Sequence, residues 1–134
     1  ALAHHGIALN NDLIVKGKWT PACGAAGVDT LLSRKVNFTA LVASNDDMAI
    51  GAMKQLHEHG VSVPAQVSVI GFDDIALAAY TIPALSSVKI PVTEMIQETI
   101  GRLIFMLGDG AFTPSKTFTG ELIARDSVAP PVSR

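Results

Sequence analysis

Polar side chains end two apolar runs of this sequence, and they are the strongest candidates for chemistry. One run stops at Asn45, Asp46 and Asp47, and a second run stops at Asp73 and Asp74. Short continuous apolar runs predict strands that are buried in a parallel sheet. Because ligands bind beyond the carboxyl ends of such strands, we expect both polar clusters to line one edge of the sheet.

The residue types at this edge suit a sugar or a similar polyol. The amide of Asn45 offers a donor and an acceptor, and a carboxylate such as that of Asp73 accepts two hydrogen bonds. Together they match vicinal hydroxyl groups. Trp19, the single tryptophan, ends a predicted strand over 13–19, and an indole can stack on the apolar C–H face of a pyranose ring.

Each candidate also has a purely structural interpretation. Asn and Asp are common helix caps, and we expect Asp46 to cap the following helix and to orient the junction. Asp47 is expected to face solvent in the first helical turn, where it favours the helix dipole. Asp74 is typical of a turn, and a lone tryptophan such as Trp19 is more often part of a core.

The sequence gives little support for catalysis or for a metal ion. It contains no nucleophile elbow, no glycine-rich phosphate loop and no HExxH motif. His57 and His59 lie two positions apart on a predicted helix, so they point to different faces. A phosphoryl-accepting receiver domain would need two βα units between its acid pair and its phosphorylated acid, and here there is one. We expect no catalytic residue, no cofactor and no metal.

Composition limits the possible partners. The net charge is −2, and the 10 Lys and Arg residues are dispersed, so these residues provide no basic stripe for a nucleic acid. Only 16% of residues are charged, against about 25% in ordinary soluble domains, which indicates that another surface covers part of this chain. No apolar run is long enough to span a membrane. The single cysteine fits a reducing compartment, so a cytoplasmic location is expected.

Strands alternate with helices along the chain, which predicts an α/β fold with a mainly parallel sheet and flanking helices. The apolar periodicity and the capping residues predict helices over 21–34, 47–60 and 93–107, with Thr20 and Thr93 as caps. Strands are predicted over 13–19, 38–43, 67–72, 87–90 and 118–124. Residues 126–134, rich in proline and serine, are predicted to be a frayed tail.

Three linked motifs carry a family resemblance. The stretch ASNDDMAIGAMKQLHEHGVSVPAQVSVIGFDD, the later PALSSVKIP and the ending LIARDSV resemble the effector-binding region of LacI/GalR-family bacterial repressors. Within that family they resemble repressors of β-glucoside utilisation. The resemblance covers essentially the whole chain. It implies a periplasmic-binding-protein-like fold, in which two α/β subdomains enclose a small sugar or glucoside effector.

The resemblance also implies roles for individual residues and segments. Asn45 and Asp73 match positions that hydrogen-bond the sugar, and KGKWTPACG resembles the segment in which an aromatic residue, here Trp19, covers it. Ile90 and Pro91 depart from members that carry a polar effector contact there. The implied division is 1–90 for the C-terminal subdomain, 91–116 for a crossover helix and loop of the N-terminal subdomain, and 117–125 for a returning strand. The fold is therefore expected to be incomplete.

The resemblance further implies the partners. Family members form homodimers or tetramers, and they bind operator DNA through an upstream helix-turn-helix domain. The apolar connection after the second acid pair is a candidate for the dimer interface, and its candidate residues are Ala76, Ala79, Tyr80 and Ile82. Two alternatives remain open at this point: a periplasmic sugar-binding transport receptor, and an enzyme of sugar metabolism.

Overall fold

A computed structural model of the chain describes residues 2–108 and 114–130. The described residues form three α-helices, four strands and three short 3-10 segments. The helices are α1 (Pro21–Ser33), α2 (Asp46–Glu58) and α3 (Val92–Leu107), and the strands are β1 (Ala40–Val42), β2 (Ser68–Asp73), β3 (Ser86–Lys89) and β4 (Glu121–Ile123). The 3-10 segments are Leu2–His5, Asn11–Leu13 and Ala76–Tyr80.

The sheet is mainly parallel, as the alternation of elements predicts. Its strand order is β1-β2-β3-β4. β1 pairs with β2 and β2 pairs with β3 in parallel, whereas β4 pairs with β3 in antiparallel orientation. The carboxyl ends of β1 and β2 therefore lie at one edge of the sheet, and the segments that follow them begin there.

Helices α1 and α2 pack closely because glycines replace side chains where they cross. Thr20 caps α1 as predicted, since its hydroxyl accepts a hydrogen bond from the N–H of Cys23 at 3.3 Å. A Cβ on Gly24 would lie 2.0 Å from the carbonyl oxygen of Met48, and one on Gly51 would lie 1.9 Å from that of Pro21. The first turns of the two helices are thus held in backbone contact.

The hydrophobic core lies between this helix pair and the sheet. Its fully buried side chains from α1, α2 and β2 include those of Val28, Leu56 and Val69. The remaining members are Met53 of α2, four alanines and two residues of the connections, namely Ala43, Ala49, Ala52, Ala78, Val67 and Leu85. Burial of these groups is the main stabilising contribution to the α1–α2–sheet unit.

Helix α3 has no part in this core. None of its residues is buried, although its apolar residues recur at helical spacing. Its most exposed apolar side chains are Ile96, Ile100, Leu103, Ile104, Phe105 and Leu107. The predicted cap at Thr93 is wrong: α3 begins at Val92 after Pro91, and no side chain caps it.

The predicted strand over 13–19 is not formed. A 3-10 segment occupies Asn11–Leu13, and residues 14–18 have no strand partner. The guanidinium of Arg34 instead donates hydrogen bonds to the carbonyl oxygens of Asp12 and Ile14. An alternating pattern forms a strand only where a neighbouring strand supplies the hydrogen bonds, and among the described residues β1 pairs only with β2.

Two further expectations differ from the structure. The run over 38–43 was expected to be buried on both faces, but β1 is an edge strand and the side chain of Val42 is 81% exposed. Residues 126–130 are not a frayed tail, because Ser127 is fully buried and the N–H of Ala129 donates to Ser68 Oγ. The rest of the predicted tail, 131–134, and the loop residues 109–113 lie outside the described residues. No helix in the described ranges is long and apolar enough to cross a membrane.

The crossing of α1 and α2 predicts a strong effect of a single methyl group. Gly51→Ala places a Cβ against the backbone of Pro21, so we expect the free energy of unfolding to fall by about 1–3 kcal/mol or more. Gly27→Ala in α1 is the matched control, because its Cβ would meet only Val15 Cγ1, at 4.0 Å. That control should be neutral or stabilising. Urea unfolding followed by circular dichroism measures both, and equal midpoints would contradict the close approach.

Candidate functional site

Asn45 begins helix α2 and keeps part of its side chain free. Its Oδ1 accepts a hydrogen bond from the N–H of Met48 at 2.9 Å, so Asn45 is the cap and the prediction that Asp46 caps the helix is wrong. The residue is 8% exposed. Its Nδ2 makes no hydrogen bond with the described residues, and no buried polar side-chain atom among them lacks a partner. Nδ2 therefore retains access to solvent at the edge of the sheet.

Asp46 is buried and joins α2 to the two central strands. It is 1% exposed, its Oδ1 accepts a hydrogen bond from Ser87 Oγ at 2.6 Å, and its Oδ2 accepts one from the N–H of Ile75 at 2.8 Å. A Cβ on Gly71 would lie only 2.1 Å from Oδ1, so only glycine fits there. Hydrogen bonds to a charged group contribute about 1.5–3 kcal/mol each, which makes this carboxylate a strong junction.

The chain after β2 turns through two left-handed residues. Asp73 has a φ of 104° and Asp74 a φ of 55°, values that non-glycine residues rarely adopt. Such conformations cost on the order of 1–3 kcal/mol each and persist only where surrounding contacts impose them. They concentrate at ligand sites. The turn directs the end of β2 away from a regular strand, at the edge where α2 begins.

The carboxylate of Asp73 is free of hydrogen bonds to any of the described residues. Partial burial raises its pKa, and the nearby carboxylates of Asp46 and Asp47 raise that pKa further. Asp73 lies close to the start of α2, as the sequence predicts, because Gly71 and Ile75 on either side of it both contact Asp46. An acceptor without a donor at such a position is available to a ligand that carries hydroxyl groups.

Asp74 has a different role from that of its neighbour. Its N–H donates to Ser87 Oγ at 3.1 Å, and its Oδ1 accepts a hydrogen bond from Arg125 Nη2 at 2.6 Å. The ion pair is mostly buried, with side-chain exposures of 13% for Asp74 and 19% for Arg125. Sequence reasoning missed Ser87 and Arg125 as site residues. No spacing rule joins Arg125 to an acid 51 residues earlier, so only the folded chain shows the pair.

Trp19 lies in solvent at the start of α1. It is 68% exposed, which excludes the alternative that it forms part of the core of this chain. It directly precedes the cap Thr20, and the first residue of α1, Pro21, lies against Gly51 in α2. The indole therefore belongs to the region where the first turns of the two helices meet. An exposed indole offers a flat apolar face to a ring-shaped ligand.

The edge thus combines a free amide donor with a free carboxylate acceptor, and an exposed indole directly precedes α1, whose first residue lies against α2. This set can bind a polyol through its hydroxyl groups and its apolar face. In the ranges 2–108 and 114–130, no group of three or more His, Cys, Asp or Glu side chains is arranged to hold a metal ion.

A profile of the periplasmic binding protein-like domain family matches residues 1–128. The chain belongs to this family. The transcriptional regulator AscG of Escherichia coli (strain K12) is 75% identical over 131 residues, which make up 98% of this chain and 39% of that protein. The regulator GalR of the same strain is 38% identical over 133 residues and is covered to 38% of its length. The chain therefore spans about two fifths of the length of these curated relatives.

Solved structures of this family share the fold. A sugar-binding LacI-family regulator from E. coli, complexed with phosphate, superposes with a TM-score of 0.87 at 75% identity, over 96% of this chain and 47% of that one. The regulator CelR in complex with cellobiose superposes with a TM-score of 0.87 at 28% identity, over 94% of this chain and 39% of CelR. The Lac repressor dimer bound to operator superposes with a TM-score of 0.86 at 27% identity, over 96% of this chain and 44% of the repressor chain. The predicted fold and the resemblance to LacI/GalR-family regulators are thereby confirmed.

The raised pKa of Asp73 predicts how stability depends on pH. The folded state disfavours the ionised carboxylate, so stability falls as pH rises from the ordinary Asp value of about 3.9 to the higher folded-state pKa. Asp73→Asn removes this loss. We expect the Asn variant to melt at a higher temperature than the parent at pH 7, and the difference to shrink below about pH 4.

Asp12→Asn is the control for the change in net charge, because Asp12 is exposed. Asn adopts positive φ more readily than most residues, so part of the Asp73→Asn gain is independent of pH. The part of the gain in melting temperature that depends on pH reports the unfavourable ionisation of Asp73. Melting curves of the three proteins between pH 3 and pH 8 test it, and a parallel pH profile for Asp73→Asn and the parent would contradict the repulsion at this edge.

Proposed function

We propose that this chain is the sugar-sensing, effector-binding part of a bacterial transcriptional repressor. The observation that carries the proposal is that two unused binding groups, Asn45 Nδ2 and the Asp73 carboxylate, lie at one edge of the sheet. The exposed indole of Trp19, just before α1, would complete the site. The left-handed turn that presents Asp73 adds support, because such strained turns concentrate at ligand sites.

The proposed effector is a small sugar or a β-glucoside. Its vicinal hydroxyl groups would accept from Asn45 and donate to Asp73, and its ring would stack on Trp19. The 75% identity to the sugar-binding LacI-family regulator of E. coli and the structural similarity to the CelR–cellobiose complex support a sugar effector. No enzymatic turnover is needed in this function, because binding alone shifts the population of conformations.

The proposed domain division explains the exposed face of α3. Residues 1–90 and 117–125 would form the C-terminal subdomain, and 91–116 would cross to an N-terminal subdomain and pack there. The absence of buried residues in α3 supports this division. In the proposed full repressor a helix-turn-helix domain binds the operator, and the protein acts in the cytoplasm. The curated relatives are named HTH-type transcriptional regulators, which supports the DNA-binding domain.

We also propose that the surface around the 3-10 segment Ala76–Tyr80 contacts a second copy of the protein. Ala76 and Ala79 are exposed, Tyr80 is 81% exposed and Ile82 is 98% exposed. Leu77 extends the same apolar surface. Apolar side chains grouped in this way are typical of interfaces, and the structurally similar Lac repressor is a dimer.

The sugar site is tested with variants that separate binding from folding. Asn45→Asp retains an oxygen to cap α2 but loses the amide donor, and Asp73→Asn exchanges an acceptor for a donor. We expect either change to weaken sugar affinity at least tenfold, because a ligand hydroxyl then faces an unmatched group. Titration calorimetry with an aryl β-glucoside, cellobiose and glucose measures the affinity.

The assay uses two proteins: this chain, and a chimera in which it replaces the matching 131 residues of AscG. Asp12→Asn, an exposed change remote from the edge, is the matched control and should bind normally. Trp19 is the only tryptophan of this chain, so its emission should shift on binding. Parent proteins that bind none of the sugars, or that hydrolyse them, would contradict the proposed function.

The dimer surface gives an independent expectation. Ile82→Asp should weaken self-association, because it places a charge in an apolar interface, and the melting temperature of the monomer should change little since Ile82 is almost fully exposed. Leu9→Asp, at an exposed leucine elsewhere, is the control. Sedimentation equilibrium of the AscG chimera measures the dimerisation constant of both variants. An unchanged dimerisation constant in Ile82→Asp would rule out this surface.

A further inference from the structure

The left-handed turn at Asp73 and Asp74 is held by contacts that do not involve the carboxylate of Asp73, which is the proposed ligand group. The N–H of Asp74 donates to Ser87 Oγ, and the N–H of Ile75 donates to Asp46 Oδ2. The carboxylate of Asp73 receives no hydrogen bond among the described residues. The conformation of Asp73 is therefore set by its backbone pairing with Lys89 at the end of β2 and by what its sequence neighbours contact.

Arg125 provides the only cationic contact to this turn among the described residues. It follows β4, and its guanidinium bridges two elements: Nη2 donates to Asp74 Oδ1 at 2.6 Å and Nη1 donates to the carbonyl oxygen of Leu85 at 2.7 Å. Its own N–H donates to Ser86 Oγ at 2.8 Å. Three hydrogen bonds therefore hold Arg125 in place, one from its backbone N–H and one from each of Nη1 and Nη2.

The environment of this pair favours a positioning role over a purely stabilising one. Both side chains are largely removed from solvent, and desolvation of two charges offsets much of their attraction. A planar guanidinium held at a carbonyl and a carboxylate nevertheless fixes direction well. Here it fixes Asp74, which follows Asp73 and, like Asp73, has a positive φ: 55° at Asp74 and 104° at Asp73.

We infer that Arg125 is a positioning residue for effector binding: through Asp74, it holds the carboxylate of Asp73 in the orientation that accepts the effector's hydroxyl groups. The inference rests on the proposed function of Asp73. It also links the effector edge to the end of the returning strand, 117–125 in the proposed domain division, which contains β4.

The test compares Arg125→Gln, Arg125→Lys and Asp74→Asn. Arg125→Gln and Asp74→Asn each remove the ion pair, so we expect each to weaken affinity for the aryl β-glucoside about tenfold. The double variant should be no weaker than the worse single variant, because both changes remove the same contact. Arg125→Lys keeps the cation and should restore part of the affinity. Calorimetry on the chimera, well below its melting temperature, gives these values.

A second readout does not depend on any sugar. The three-bond coupling between the amide and α protons of Asp73 and Asp74 reports φ when it is read together with the NOE between the same two protons, both measured by NMR on this chain. The NOE is needed because one coupling value fits several φ angles, whereas the two protons lie closest together at positive φ. Arg125→Gln should change these couplings and weaken the NOE. Lys116→Gln, which removes a cation from the ion pair with Glu98 on α3, is the control and should leave the couplings and the affinity unchanged.

The outcomes separate the two hypotheses. If the parent binds no sugar but Arg125→Gln alters the couplings, the proposed function fails and the positioning of the turn stands. If the parent binds sugar, and Arg125→Gln lowers only the melting temperature with couplings and affinity unchanged, the inference is overturned while the proposed function stands.

Discussion

The buried carboxylate of Asp46 is the contact on which the proposed ligand edge depends. It is nearly inaccessible to solvent, and it reaches both the backbone after β2 and the hydroxyl of Ser87 on β3. In sequence it follows Asn45, and in space it lies against Gly71, two residues before Asp73. One side chain therefore sets the distance between the helix start and the turn that together make the edge.

The closeness of Asp46, Asp47 and Asp73 has an electrostatic cost, and the proposed ligand-binding role of Asp73 explains why the chain tolerates it. Asp46 and Asp47 raise the pKa of Asp73, so three acids close together destabilise the chain when all of them are ionised. Arg125 is paired with Asp74 and does not relieve Asp73 by a direct contact. A free carboxylate kept in this environment is poorly suited to stability. It is well suited to a ligand that donates hydrogen bonds, because the donors replace water that partial burial has already removed.

The two halves of the described chain differ in how they are stabilised. Helices α1 and α2 share a core with the sheet and approach each other at glycines. Helix α3 shares none of this core, and its apolar side chains face outward. A helix of this kind gains little from burial in the chain as described, so its exposed face is consistent with the proposed packing on a separate subdomain.

The sequence determined the α/β alternation, the helices α1 and α2, the three parallel strands and the family, because these follow from local periodicity, capping and linked motifs. It also placed Asn45 and Asp73 at one edge, since strand ends in a parallel sheet meet there. It could not determine which neighbour caps α2: Asn45 and Asp46 are both good caps, and only the partners of Asp46 in β3 and after β2 decide the matter. The strand over 13–19 failed for the same reason, because a strand needs a partner that local pattern does not supply. The contact of Arg125 with Asp74 joins residues far apart in the chain, so it was decided by the tertiary structure alone.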